Sequence, residues 1–272
     1  MPHTLVWGIF LNMRNIKLTI AYDGTNYRGW QSQGSRHSNT VQQIIEEALQ
    51  KIFLKKPRLI GSGRTDAGVH ALAQTANFKI DNPIKPDKLK AALNALLPKD
   101  IAVLKVEDVI LNFHARFDTR SKTYIYCIFP STAKTPFVSS FAWCVRHLLD
   151  LRLMRSEAKC LLGKHNFKSF QASEKAKRRS VTTVNRINIK RVKNSNGLPI
   201  SRGLELVTIE IEASGFLRNM VRNIAGTLVD VGRGKFKKGD LAKILKKQDR
   251  KSAGRCAPSC GLYLADVVYG KL

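Results

Sequence analysis

In "GSGRTDAGVHALAQTANF", Gly61 to Phe78, Arg64, Asp66 and His70 fall within seven positions among glycines and small residues. A phosphate-binding P-loop needs a lysine followed by serine or threonine after its last glycine. Here Gly63 is followed by Arg64 and Thr65, which excludes it. A metal on Asp66 and His70 needs further ligands, and no matching cluster is visible elsewhere in the chain. Two readings remain. Asp66 can cap a turn through its own backbone, in a glycine-rich connector. Alternatively, Asp66 is a carboxylate nucleophile, which has to be held ionised and oriented. A neighbouring arginine does both through a charge-assisted pair, and glycines let the backbone approach a bulky substrate. Residue types and spacing leave these two level.

The elements that must position this stretch follow from periodicity. Ile16, Leu18, Ile20 and Tyr22 alternate with Lys17, Thr19 and Ala21, which predicts a strand. Val41, Ile44, Ile45, Ala48, Leu49, Ile52 and Phe53 fall on one helical face, with Thr40 and Gln43 as a capping box. A strand follows through Ala76, Phe78 and Ile80. Pro86 opens a second helix with Leu89, Leu93, Leu96 and Leu97 inward. Ile101 to Val106 makes another strand. The order β-α-β-β-α-β is the split pattern of a ferredoxin-like sheet. The second half reads similarly: a strand over Thr123–Phe129, a helix over Leu151–Leu162 stopping at Gly163, strands near Val184–Val192 and Leu204–Ala213, a helix carrying Leu217, Met220, Val221, Ile224, Ala225, Leu228 and Val229, a short helix after Asp240, and a last strand over Leu262–Tyr269. The expected class is α+β, with two ferredoxin-like halves whose mainly antiparallel sheets join around a central cleft. Residues 15–110 form the half carrying Asp66 and residues 111–272 the half that completes the cleft. Residues 1–14 are an extension. Their apolar run, Leu5 to Leu11, is too short to span a membrane and lacks the basic flank and cleavage site of a signal peptide. Met13 is the expected functional start.

Lys and Arg number 47 against 20 Asp and Glu, a net charge of +27. An excess this large points to a polyanion, and nucleic acid before an anionic membrane, because no basic amphipathic helix stands out. "ASEKAKRRSVTTVNR", Ala172 to Arg186, and "GRGKFKKGD", Gly232 to Asp240, are the stretches suited to gripping phosphates. Five scattered cysteines fit reduced thiols in a cytosolic protein. Cys256 and Cys260 lack a second Cys/His pair at zinc spacing, and Asp81, Asp87 and Asp100 lack the arrangement that would hold Mg²⁺.

The Gly61–Phe78 stretch resembles the signature of the TruA family of tRNA pseudouridine synthases. "YDGTNYRGWQSQ" and "TVQQIIEEAL" resemble that family's opening, and "FHARFDTRSKTYIY" (Phe113–Tyr126) its central motif. "GKHNFKSF", "GFLRNMVRNIAGTLVDVGRGK" and "APSCGLYLADVVY" follow in the family's order, so the likeness covers nearly the whole chain from about Asn15. The resemblance implies isomerisation of uridine to pseudouridine at positions 38 to 40 in the anticodon stem-loop of tRNA, without a cofactor, by a cytoplasmic homodimer. It implies that Asp66 is the nucleophile, that Arg64 pairs with it and helps open the site, and that Tyr124 stacks on the base and assists removal of the C5 proton. Leu262 would pack against the base. Arg222 matches a family position facing RNA, and Arg218 sits where members vary; both are expected on one face of the Leu217 helix. His70, His114 and His165 are expected to be structural. The physical logic is coherent: a stem uridine must be extruded, at a cost of a few kcal/mol, and an aromatic platform with distant phosphate contacts offsets that cost. A competing reading, a non-catalytic ferredoxin-like RNA-binding protein, explains charge and sheets but leaves Arg64 and Asp66 idle, and the RNP1 pattern is missing.

Overall fold

A computed structural model describes residues 13–31, 39–132, 136–172, 180–193 and 205–270. The order begins β1 (Arg14–Tyr22), α1 (Val41–Phe53), β2 (Ile60–Gly61), β3 (His70–Ile80), α2 (Pro86–Leu96), β4 (Ile101–Val109). It continues β5 (Thr119–Pro130), α3 (Pro136–Ser139), β6 (Trp143–Val145), α4 (Leu151–Ala158), β7 (Gly163–Asn166), β8 (Val181–Lys193), β9 (Glu205–Ala213), α5 (Met220–Gly232), α6 (Asp240–Lys247), β10 (Leu262–Tyr269).

The strands join in one sheet of order β4-β1-β3-β10-β5-β9-β8-β7, with β2 on β3 and β6 on β5. The first unit therefore runs β4-β1-β3-β2 and the second β10-β5-β9-β8. In each, the fourth strand lies beside the first, then the third, then the second, which is the ferredoxin-like arrangement expected from the sequence. The halves meet at a parallel seam between β3 and β10, in which Tyr263 faces His70 and Leu264 faces Ala71. The pairings within each unit are antiparallel.

Local chemistry explains the elements. Thr40 is extended and its side chain accepts from Gln43 N, so the helix α1 starts where the capping pattern placed it. Leu89 and Leu93 of α2 and Leu97 just after it are buried, but Leu96 is 44% exposed. By spacing Leu96 shares the stripe of Leu89, but it is the last residue of α2, and the extended Leu97 that follows takes the buried place. The Leu151–Leu162 helix ends earlier than expected. It is α-helical to Ala158, tightens to a 3-10 turn over Lys159–Leu161, and Gly163 (φ 94°) then turns the chain into β7. In α5 every residue except Arg222 is buried, so this helix is core on nearly all sides. Buried Asn15 and Asn77 bond each other at 2.9 Å and tie the Phe113–Ala115 connection to β1 and β3. That fixes the entry of β5.

Residues 1–12, and with them the Leu5–Leu11 run, lie outside the described residues, as do 173–179 of the basic Ala172–Arg186 stretch. The rest of that stretch is not all loop: Val181–Arg186 begins β8.

Candidate active site

Asp66 sits in the connection between β2 and β3, at the seam of the two units. Val69 N donates to its backbone carbonyl at 3.2 Å, and Trp30 N donates to Thr65 O at 3.1 Å. The buried Thr65 hydroxyl meets Tyr22 Oη at 2.8 Å. Gly29 (φ 93°) lies so close that a Cβ there would stand 2.4 Å from Thr65 O. The "YDGTNYRGW" motif thus wraps the Asp66 loop, and its glycine is required both by conformation and by contact. Across the seam, Ser259 Oγ abuts Gly68, 2.6 Å from where its Cβ would be. The Asp66 side chain is 39% exposed.

Four of the expected site residues converge here. The cation facing Asp66 is Arg222: Nη1 stands 3.9 Å from Oδ2. Arg222 is held in place on both sides, its Nε donating to Ala257 O at 2.7 Å while Ala257 N donates to Arg222 O at 3.1 Å. Tyr124, on β5, is buried and packs edge-on against Phe216 at 4.9 Å between ring centroids. Burial, then the nearby Tyr22 and the negative charge of Asp66, push its hydroxyl well above the usual phenol range, so it stays protonated. Leu262 is buried at the start of β10, opposite Tyr126 and two register positions from the Leu264–Tyr124 pair.

The other two stand apart. Arg64 is exposed, and its Nε donates to Gln31 Oε1. Among the described residues the ion partner within 4 Å of Asp66 is Arg222, not Arg64. Arg64 is turned to Gln31 instead, so closeness in sequence did not bring this pair together. Arg218 also does not share a helical face with Arg222. The helix begins at Met220, after a left-handed Asn219 (φ 58°), which leaves Arg218 exposed on the preceding loop.

Sequence reasoning overlooked Lys122. It lies two residues before Tyr124, hence on the same face of β5, and its Nζ donates to Ser62 O at 2.5 Å. The alternation of Lys122, Tyr124 and Tyr126 was the available signal. His70 is buried among partners: Gly24 N donates to its Nδ1 at 3.1 Å, and Nε2 lies 3.1 Å from Ser140 O and 3.2 Å from Cys260 O. No helix among the described residues is long and apolar enough to cross a membrane.

The model of a family described as tRNA pseudouridine synthase matches residues 18–118 and 158–270. The chain is 43% identical over 256 residues to tRNA pseudouridine synthase A 2 of Clostridium tetani, covering 94% of this chain and 99% of that relative. It is 42% identical over 257 residues to tRNA pseudouridine synthase A of a Thermoanaerobacter strain and 44% identical to tRNA pseudouridine synthase A 2 of Clostridium perfringens, covering 94% of this chain and 100% of each of those. With a match of this extent, the chain belongs to the tRNA pseudouridine synthase family.

Proposed function

We propose that the protein converts uridine to pseudouridine at positions 38 to 40 of the tRNA anticodon stem-loop, with Asp66 as the nucleophile. The observation carrying this reading is the partly open Asp66 carboxylate 3.9 Å from an anchored Arg222, with buried Tyr124 near enough to feel its charge. Asp66 attacks the extruded nucleoside and the N1–C1′ bond breaks. The base rotates, C5 bonds to C1′, the bond between Asp66 and the nucleoside breaks to free the carboxylate, the C5 proton leaves and N1 ends protonated. Tyr124 and Leu262 flank the base, Tyr124 as an aromatic platform with a protonated hydroxyl.

Arg222 orients Asp66, which goes beyond the RNA contact expected of it. Arg64, exposed beside Gln31, fills space near the flipped nucleotide. Arg218 and the net charge of +27 supply phosphate contacts. The working form is a cytoplasmic homodimer.

Pseudouridine formation must release hydrogen from C5. Tritium release from C5-labelled uridine in tRNA is the test; folded protein with competent tRNA and no release would exclude the reaction.

A further inference from the structure

The reaction above makes no use of Lys122, although this cation lies directly against the loop that leads to Asp66. Its Nζ donates to Ser62 O at 2.5 Å and sits so near Gly63 that a Cβ there would stand 2.8 Å from it. Gly63 is not in the left-handed region, so its backbone conformation does not demand glycine. A Cβ there would instead have to push the ammonium off its present position. Ser62 is then fastened to β3 as well: its N donates to Thr75 O at 2.7 Å and its Oγ to Gln74 Oε1 at 2.7 Å, while Gln74 Nε2 donates to Gly63 O at 3.0 Å.

Among the described residues the carbonyl of Ser62 is what partly buried Lys122 gains for the water it loses, with no opposite charge. In register beside it stand Val267 of β10 and Ala213 of β9, and the charged side chain bearing on it is another cation, Arg116. No carboxylate lies within ion-pair distance of it among the described residues. Burial, followed by Arg116, brings its ammonium down from 10.5 to about 8. A cation taken partly out of water without a counter-ion costs stability, and an apolar side chain would fill the same space without that cost. Cations of this kind gather at working sites.

We propose that Lys122 is a positioning residue: its ammonium clamps the Ser62–Gly63 backbone to the strand that carries Tyr124 and so fixes Asp66 against Tyr124, and Gly63 is the gap the clamp requires. This rests on the reading of Asp66 as nucleophile.

The test measures tritium release by Lys122→Met, Gly63→Ala and the double variant, as kcat and KM for tRNA between pH 6.5 and 9.5. Lys122→Met should lower kcat about tenfold or more with KM within about twofold. The wild-type kcat should fall as pH rises past about 8, and that limb should vanish in Lys122→Met. Gly63→Ala should also lower kcat, and add little in the Lys122→Met background, because both remove one contact. Wild-type kcat in Lys122→Met, multiplying losses in the double variant, or an unchanged alkaline limb would each overturn the clamp. If Lys122→Met does not fold, Gly63→Ala decides alone: lowered kcat with preserved KM supports the clamp, and unaltered kcat overturns it. Asp66→Asn separates the two ideas. Turnover there defeats the nucleophile reading, whereas an inactive Asp66→Asn beside a fully active Lys122→Met defeats only the clamp.

Discussion

Arg222 Nη1 stands 3.9 Å from Asp66 Oδ2 while the Nε of the same guanidinium is tied to Ala257 O at 2.7 Å. A residue fastened in this way orients its neighbour and is poorly free to chase a phosphate. Arg222→Ala should therefore lower kcat by roughly tenfold to a hundredfold, the scale of one lost charge-assisted contact, and leave the salt dependence of tRNA binding nearly unchanged. Arg218→Ala should do the reverse. Its side chain is exposed on the loop before α5, so kcat should hold while the slope of log affinity against log salt falls by about one phosphate. Binding titrations at several salt concentrations with parallel rate measurements check both. A flattened slope in Arg222→Ala would return that side chain to the RNA surface.

Asp66→Asn keeps the shape of the side chain and removes its charge and nucleophilicity. Tritium release should disappear, and tRNA affinity should stay close to that of the wild type, since cations rather than a carboxylate neutralise phosphate. Retained release would remove Asp66 from the chemistry.

Tyr124 divides into a ring and a hydroxyl. The ring packs on Phe216, and its loss in Tyr124→Ala should cost roughly 3 kcal/mol of stability in urea unfolding. Tyr124→Phe keeps that packing and should fold normally with wild-type tRNA affinity. Its turnover should fall on the order of a hundredfold if the hydroxyl moves a proton; turnover equal to wild type leaves Tyr124 as a platform only. Because burial holds the hydroxyl protonated above the ordinary phenol range, Tyr124 should add no limb to the pH–rate profile below pH 10.

Periodicity alone placed the two ferredoxin-like units, because each strand buries one face and each helix one stripe. It erred where one residue's direction mattered. Leu96 is exposed where α2 ends, and Arg218 fell off α5 because Asn219 starts the helix late. For the site, residue types narrowed Asp66 to a turn or a nucleophile, and the family resemblance chose between them. The partner of Asp66 was not legible. Arg64 is two positions away in sequence and turns to Gln31, whereas Arg222, more than a hundred positions away, arrives through the seam between β3 and β10. Contacts made across a seam leave no local pattern to read.

The ammonium of Lys122 also makes a stability prediction with a definite sign. In the unfolded chain it titrates near 10.5 and in the folded protein at about 8. Between those values the unfolded chain holds a proton that the folded one has lost, so stability should rise with pH across that window. Below about 8 both states are protonated and the burial cost is full and constant. Urea unfolding at pH 7.5 and 9.5 should show wild type gaining on Lys122→Met at the higher pH. An equal response in the two proteins would mean that Lys122 keeps an ordinary ammonium.

The join between the halves gives the last prediction. Two register pairs hold β3 to β10, and His70 belongs to one of them. Its imidazole, 1% exposed, accepts from Gly24 N, reaches the carbonyls of Ser140 and Cys260, and stacks on Tyr263 at 4.7 Å. One ring thus links the loop after β1, the end of α3, the turn before β10 and the strand leaving the Asp66 loop. Alanine at this position leaves a buried amide and two carbonyls short of partners, and a void beside Tyr263. His70→Ala should lose roughly 2–4 kcal/mol in urea unfolding, with the midpoint lowered and the slope unchanged. His70→Gln, which can still donate toward Cys260 O and Ser140 O, should recover part of that loss. A change below about 1 kcal/mol in His70→Ala would show that the seam holds by strand pairing and apolar packing without the imidazole.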